Sequence, residues 1–218
     1  MRTAPRGAVF LMGESARSFW SIHLPHWSAE RVSLLERYAS LLREANARVN
    51  LVSRKDVQYL EERHILYCLS VAESGLLRSL QTLTDVGTGG GLPGIPIAIA
   101  EPQLKVTLVE SVAKKVAAVE HIVQALGLSH VRVVRARAEQ WQGSYDCVTG
   151  RAVCPLPEFI KMTGHLVAPR GIVVYLTGSR NPSERRVRGW QVRELAVRDI
   201  FPRSEWLAEK FILVAQRS

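Results

Sequence analysis

The stretch Leu83-Thr-Asp-Val-Gly-Thr-Gly-Gly-Gly-Leu-Pro-Gly-Ile-Pro96 decides the fold. A short β-prone run (Leu83, Thr84, Val86) carries an acid, Asp85, and runs into four glycines within five positions. An apolar segment then begins, with prolines at 93 and 96. Glycine is needed where the backbone takes a positive φ or passes a ligand with no Cβ in the way. A glycine-rich turn between strand and helix is how doubly wound α/β proteins cradle a nucleotide-bearing cofactor. Glu110 ends the next apolar run, Lys105–Val109, where a carboxylate can accept from two ribose hydroxyls.

Two frames fit the glycines. Gly89-Gly90-Gly91-Leu92-Pro93-Gly94 matches G-x-G-x-x-G, the dinucleotide fingerprint, and would imply a nicotinamide oxidoreductase. In that motif the first glycine follows the strand closely; here that residue is Gly87, and the pattern then fails at Leu92. The frame Asp85-x-Gly87-x-Gly89-x-Gly91 is the acid-x-G-x-G-x-G pattern of S-adenosylmethionine-dependent methyltransferases. Their cofactor has no pyrophosphate, so the loop must instead pass close to the methionine moiety and its sulfonium.

Outward from this loop the chain alternates. Strands are predicted at 82–86, 105–109, 131–135, 145–149 and 171–176, with helices near 95–101, 112–126 and 156–167. Val112, Val116, Val119, Ile122, Val123 and Leu126 form one helix face, and Gly127 stops it. This pattern predicts an α/β fold with a mainly parallel, Rossmann-like sheet. The runs Val192–Ile200 and Lys210–Ala215 lack a ten-residue helix between them and predict an antiparallel C-terminal hairpin. Upstream, Ser28 is positioned to cap a helix bearing Leu34, Leu35, Tyr38, Leu41, Leu42 and Ala45. A second helix is predicted from Asp56 through Ala72, with Gly75 just past its end. The organisation expected is an N-terminal segment and helical cap at 1–80 and a cofactor-binding core at 81–218, one structural domain overall. Residues 1–25 show no clear period and read as poorly ordered or loosely docked.

Composition narrows the class. The chain has 218 residues, 47% hydrophobic and 22% charged, enough for a substantial core. No apolar run reaches the ~18–20 residues that span a bilayer. Cys68, Cys147 and Cys154 are widely spaced with no C-x-x-C, against a zinc or other metal site and for a reducing cytoplasm. Nothing points to an obligate dimer, and a monomer is expected. The charge is +9, with 29 Lys+Arg against 20 Asp+Glu. Arginines 180, 185, 186, 188, 193 and 198 cluster against two acids, Glu184 and Glu194. Such a stretch attracts polyanions by counterion release, and arginine forks onto phosphate. Arg180, Arg185, Arg186 and Arg188, with Arg54, Lys55 and Arg63, form the candidate RNA track.

Other residues fall at strand ends. Ala138 and Glu139 lie just beyond the third strand, where a small residue and a polar group can frame an adenine. Arg151 ends the fourth strand, where ligands gather, with Glu139 or the cofactor carboxylate as possible ionic partners. The Asp/Asn-Pro-Pro-aromatic tetrapeptide of exocyclic-amine methylation is absent there. Cys154 lacks the partners that would activate a cysteine nucleophile. No catalytic residue is singled out.

Together these residues resemble the RsmG (GidB) family, bacterial methyltransferases of small-subunit rRNA. The resemblance is carried by Asp85-Val-Gly-Thr-Gly-Gly-Gly-Leu-Pro-Gly-Ile-Pro96, Asn50-Leu51, Arg63-His64-Ile65-Leu66, Glu110-Ser111 with Lys114-Lys115, Arg137-Ala138-Glu139, and Arg151-Ala152. It runs from about Ser28 to Gln216. It implies a class I methyltransferase fold, S-adenosyl-L-methionine as donor, guanine N7 as acceptor, and 16S rRNA or the 30S particle as partner. It also implies cofactor contacts from Gly87, Leu92, Ala138, Glu139 and Arg151; Gly89, Gly91 and Glu110 follow from the general methyltransferase pattern. The chain departs from the family at Tyr67-Cys68 (usually Asp-Ser), Thr177-Gly178 (usually Lys-Gly) and Val52 (usually Thr). The first two keep open an alternative: a catalytically weak cofactor-binding, RNA-binding or ribosome-assembly factor of the same fold.

Overall fold

After residue 80 the period of the apolar pattern switches repeatedly between two and 3.6, and the secondary structure follows it. The computed structural model describes residues 19–178 and 187–218. One sheet contains β1 (Thr82–Val86), β2 (Lys105–Glu110), β3 (Val131–Arg135), β4 (Tyr145–Arg151), β5 (Val167–Thr177), β6 (Trp190–Ala196) and β7 (Phe211–Arg217). The strand order is β3-β2-β1-β4-β5-β7-β6. The first five strands are parallel, and β7 runs antiparallel between β5 and β6. The expected hairpin is therefore present, with its second strand inserted next to β5. The strand order reverses between the parallel neighbours β1 and β4, so a crevice opens outside their carboxyl ends.

The helices are α1 (Ala29–Arg48), α2 (Tyr67–Glu73), α3 (Gly94–Ala100), α4 (Ala113–Leu126) and α5 (Leu156–Thr163). Ser28 caps α1, its hydroxyl accepting from Arg31 N at 3.4 Å. Gly127, at φ 69°, ends α4 in the left-handed conformation that releases a helix without Cβ strain. The sheet is covered on both faces. Leu83, Cys147 and Val174 pack with residues of α1, α2, α3 and α4 in one hydrophobic cluster. Val86, Val148, Val173 and Tyr175 pack with Leu156, Phe159 and Ile160 of α5 in the other. No helix among the described residues is long and apolar enough to cross a membrane.

Three local expectations need correction. The segment from Asp56 is not one α-helix: a 3-10 turn (Val57–Tyr59) and a π-helix (Leu60–Leu66) precede α2. The wider π-turn occurs where Arg63 and His64 face the strand ends, while Leu60, Ile65 and Leu66 are buried. Helical residues 19–23 do not hang loose. Trp20 and Leu24, one turn apart, are 0% and 1% exposed and join the main core. The predicted helix 156–167 stops at Thr163, because β5 begins at Val167, four residues earlier than the alternation indicates. Residues 1–18, and the arginines at 180, 185 and 186, lie outside the described residues.

Candidate active site

The glycine loop is built from both sides. Below it, Asp85 is fully buried; its Oδ2 accepts from Thr88 Oγ1 at 2.6 Å and from Gly94 N at 2.9 Å. That carboxylate ties the end of β1 to the first turn of α3 across nine residues. Oδ1 has no hydrogen-bond partner, and burial raises the Asp85 pKa to about 6. Above the loop, α1 presents Tyr38, whose hydroxyl donates to Gly90 O at 2.9 Å, and Leu51 packs against Gly90. Asn46 holds Leu51 there: its Oδ1 accepts from Leu51 N at 2.8 Å and Val52 N at 3.0 Å. The N-terminal helix is thus the outer jaw of the loop.

A cavity of about 180 Å³ lies at the carboxyl ends of the strands, lined by Gly87, Glu110, Ala138, Glu139, Val153 and neighbours. Glu110 is buried. Its Oε1 accepts from Ser111 N at 2.8 Å and Val112 N at 2.9 Å, and its Oε2 from Gly89 N at 3.2 Å. These three bonds fix the carboxylate and leave acceptor capacity on Oε2. A Cβ at Gly87 would come within 2.9 Å of Val153, so the backbone is bare toward the cavity. The structure brings Gly87, Glu110, Ala138 and Glu139, singled out in the sequence, around this one cavity. Gly91 and Leu92 do not line this cavity: Gly91 abuts Ile95 of α3, and Leu92 is buried in the core.

A second cavity of about 440 Å³ adjoins the first, and Val153 lines both. Its floor is Tyr67, Tyr175 and Leu176, all buried; its more open wall carries Asp56, Arg63, Gly178, Trp206 and Lys210. Arg151 lines it too, and its partner within the protein is not Glu139, one of the two expected. Arg151 Nη2 donates to His64 Nδ1 at 2.9 Å rather than meeting exposed Glu139. The π-helix carries His64 to the end of β4, a contact 87 residues apart in sequence. Because a guanidinium can only donate, the neutral ring carries its hydrogen on Nε2. That atom is buried without a partner. Burial, reinforced by Arg151, lowers the His64 pKa to about 4.

The segment after β4 is held in an unusual conformation. Ala152 has φ 55°, a left-handed value that costs a non-glycine residue about 1–2 kcal/mol. Tyr175 holds it: its hydroxyl donates to Cys154 O at 2.6 Å and accepts from Val153 N at 3.1 Å. Burial pushes the Cys154 thiol pKa up, against a thiolate nucleophile. Among the described residues no group of His, Cys, Asp or Glu could hold a metal ion.

The two departures noted in sequence meet here. Tyr67 is buried, and its hydroxyl donates to Thr177 O at 2.8 Å and Phe211 O at 3.1 Å. It joins α2 to the β5/β7 pair and closes the cavity floor. Of the candidate RNA residues that are among the described residues, only Arg63 lines this cavity. Arg54 lines a separate cleft with Arg43 and Asn46, whereas Lys55 and Arg188 are exposed. Sequence reasoning missed His64 as a site residue, together with Tyr175, Trp206 and Lys210. Only His64 carried a signal, its place beside Arg63.

A family model described as rRNA small subunit methyltransferase G (GidB) matches residues 31–200, which include the whole of this arrangement up to β6. The chain belongs to the rRNA small subunit methyltransferase G family. A relative carrying that family name in Christiangramia forsetii is 31% identical over 195 residues, covering 87% of this chain and 89% of its own. Another, in Stenotrophomonas maltophilia, is 41% identical over 169 residues, covering 74% and 76% respectively. Among solved structures, the S-adenosylmethionine-dependent methyltransferase SibL in its apo form superposes with a TM-score of 0.60 at 14% identity, covering 99% of this chain and 78% of SibL. At that identity the likeness establishes the fold, which is that of class I methyltransferases. In this methyltransferase G chain, the departure at Tyr67 serves a structural contact, its hydroxyl meeting main-chain oxygens of Thr177 and Phe211, while Thr177 contributes only its backbone to that bond.

Proposed function

We propose that this protein transfers a methyl group from S-adenosyl-L-methionine to guanine N7 of small-subunit ribosomal RNA, in the cytoplasm. The observation that carries the reading is the pair of adjoining cavities at the β1/β4 switch point, one cut against a bare glycine turn and one rimmed by cations. The residues fit the donor. Glu110 has acceptor capacity for ribose hydroxyls, Ala138 and Glu139 frame a flat ring, and Gly87 lets the backbone approach. Gly89, Gly91 and Leu92 shape the loop from behind, and Arg151, lining the adjoining cavity, would hold the methionine end. When bound, the cofactor supplies an electrophilic sulfonium methyl.

The residues on the acceptor side position rather than transfer protons. Guanine N7 has an in-plane lone pair and no proton, so no general base is required. Consistently, the thiol of Cys154 is held in its protonated form, and His64 spends its Nδ1 lone pair on Arg151. Holding two reactants in line can save roughly 7–11 kcal/mol. The pinned loop Ala152–Cys154 and the buried tyrosine floor supply that rigidity.

Incubation with labelled S-adenosyl-L-methionine and either free 16S rRNA or 30S particles tests the reading. Nucleoside analysis is expected to return 7-methylguanosine; label on cytosine or adenine, or none at all, would refute it. Arg151→Ala is expected to lower either donor affinity or the methylation rate at least tenfold. Both remaining within twofold of wild type would remove Arg151 from the site.

A further inference from the structure

On the open wall of the larger cavity, cations and aromatic rings alternate. The Arg63 guanidinium lies 3.7 Å from the Tyr59 ring centroid and 5.5 Å from that of Trp206. The Lys210 ammonium lies 4.3 Å from the same Trp206 centroid. The sheet register explains why Lys210 is there. Thr177 of β5 pairs with Phe211 of β7, so Lys210 faces Gly178, and its Nζ lies 3.1 Å from where a Cβ on that glycine would be. Glycine at 178 leaves room for the ammonium.

Among the described residues these cations are incompletely neutralised. Arg63 pairs with Asp56 at 3.3 Å, but its Nε is buried with no hydrogen-bond partner. Lys210 has no carboxylate within 4.0 Å among the described residues. His64 Nε2, on the same cavity, is a second unpartnered buried donor. Two cations lining one cavity, with Asp56 the single carboxylate paired to either among the described residues, describe an oxyanion site. Cation–π contact holds the two charged side chains on the tryptophan and reduces the ordering cost when an anion arrives.

We propose that Lys210, seated on Trp206, acts with Arg63 to bind a backbone phosphate of the RNA beside the acceptor nucleotide. This deepens the function proposed above and rests on RNA being the substrate. Phosphate is favoured over the base itself because positive charge builds on guanine during N7 methylation, and an ammonium against the ring would oppose it. The position agrees: Gly178 is exposed and Trp206 and Lys210 are half-buried, whereas the floor beneath is buried.

The test measures binding of 16S rRNA to the full chain as a function of salt, without donor. Separately, the affinity of the free protein for S-adenosyl-L-methionine is measured by calorimetry. Lys210→Ala is expected to weaken RNA binding about tenfold and to make the slope of log K against log salt shallower by about 0.7–0.9, one phosphate contact. Lys210→Arg should restore both, and Trp206→Leu should reproduce part of the loss. Donor affinity should stay within twofold of wild type throughout. An unchanged salt slope, or a loss of donor affinity that marks the anion as the cofactor carboxylate, would overturn the proposal. Because RNA binding is read without methyl transfer, a wild-type chain that fails to methylate refutes the function above and leaves this slope to be judged on its own.

Discussion

Gly91→Ala is expected to destabilise the fold by about 2–5 kcal/mol. Gly91 has φ 88°, and a Cβ there would collide with Ile95 Cδ1 and lie 2.7 Å from its Cγ1. Ile95 is fully buried, so it has nowhere to go. The backbone is equally constrained: Gly91 N donates to Thr88 O at 2.9 Å, and Gly91 O accepts from Ile95 N at 2.7 Å. The left-handed conformation costs about 1–2 kcal/mol and overpacking a further 1–3. Against a total stability of 5–15 kcal/mol that loss is large. Gly89→Ala is the control. It also has positive φ, but the nearest atoms to its Cβ are backbone oxygens at 3.6 and 3.9 Å, so only the conformational cost applies. Urea unfolding of the pair should give Gly91→Ala the much lower midpoint. Equal midpoints would mean that the Ile95 contact is relieved at no cost.

The second large effect is a reversal of pH dependence between two variants. Asp85 has its pKa raised by burial to about 6, so the native state favours the protonated acid. Its contribution to stability is full below about pH 4 and is lost as pH rises through 6. His64, lowered to about 4, does the opposite: the native state favours the neutral ring. Its contribution is full above about 6.5 and is lost as pH falls through 4. At 1.36 kcal/mol per unit, each is worth roughly 3 kcal/mol, and over pH 4–6.5 they oppose each other. Asp85→Asn can keep the acceptor for Thr88 and Gly94 while removing the charge. It should leave the histidine's contribution, so stability falls on acidification relative to wild type. His64→Asn can keep an acceptor toward Arg151 and should leave the aspartate's, so stability falls as pH rises. Thermal unfolding from pH 4.5 to 7.5 checks this. Parallel profiles for the two variants would show that one of the buried groups does not titrate as described.

The sheet's first five strands, the glycine turn and the C-terminal hairpin were legible because each is specified locally. Val116, Val119 and Val123 mark a helix face within one segment, and Gly127 ends it. Asp85, the glycines and Glu110 belong to consecutive strand ends, so their convergence follows from parallel order alone. Contacts set by register across distant strands were not legible. Nothing near Tyr67 shows that its hydroxyl meets Thr177 and Phe211, 110 and 144 residues away. For Arg151 the sequence offers Glu139 or the cofactor carboxylate as partners, and nothing in it shows that the π-helix delivers His64.

What the amino-acid order determined by itself was the alternation of strand and helix, the cofactor turn, and the family to which the chain belongs. Those are written in period, glycine placement and short motifs, which act over a few residues. Only tertiary structure decided that Tyr38 and Leu51 clamp the turn from outside, that His64 is neutral with its hydrogen on Nε2, and that Lys210 faces Gly178 over Trp206. Those depend on how deep a group is buried and which strand lies opposite, quantities that exist only once the whole sheet has closed around them.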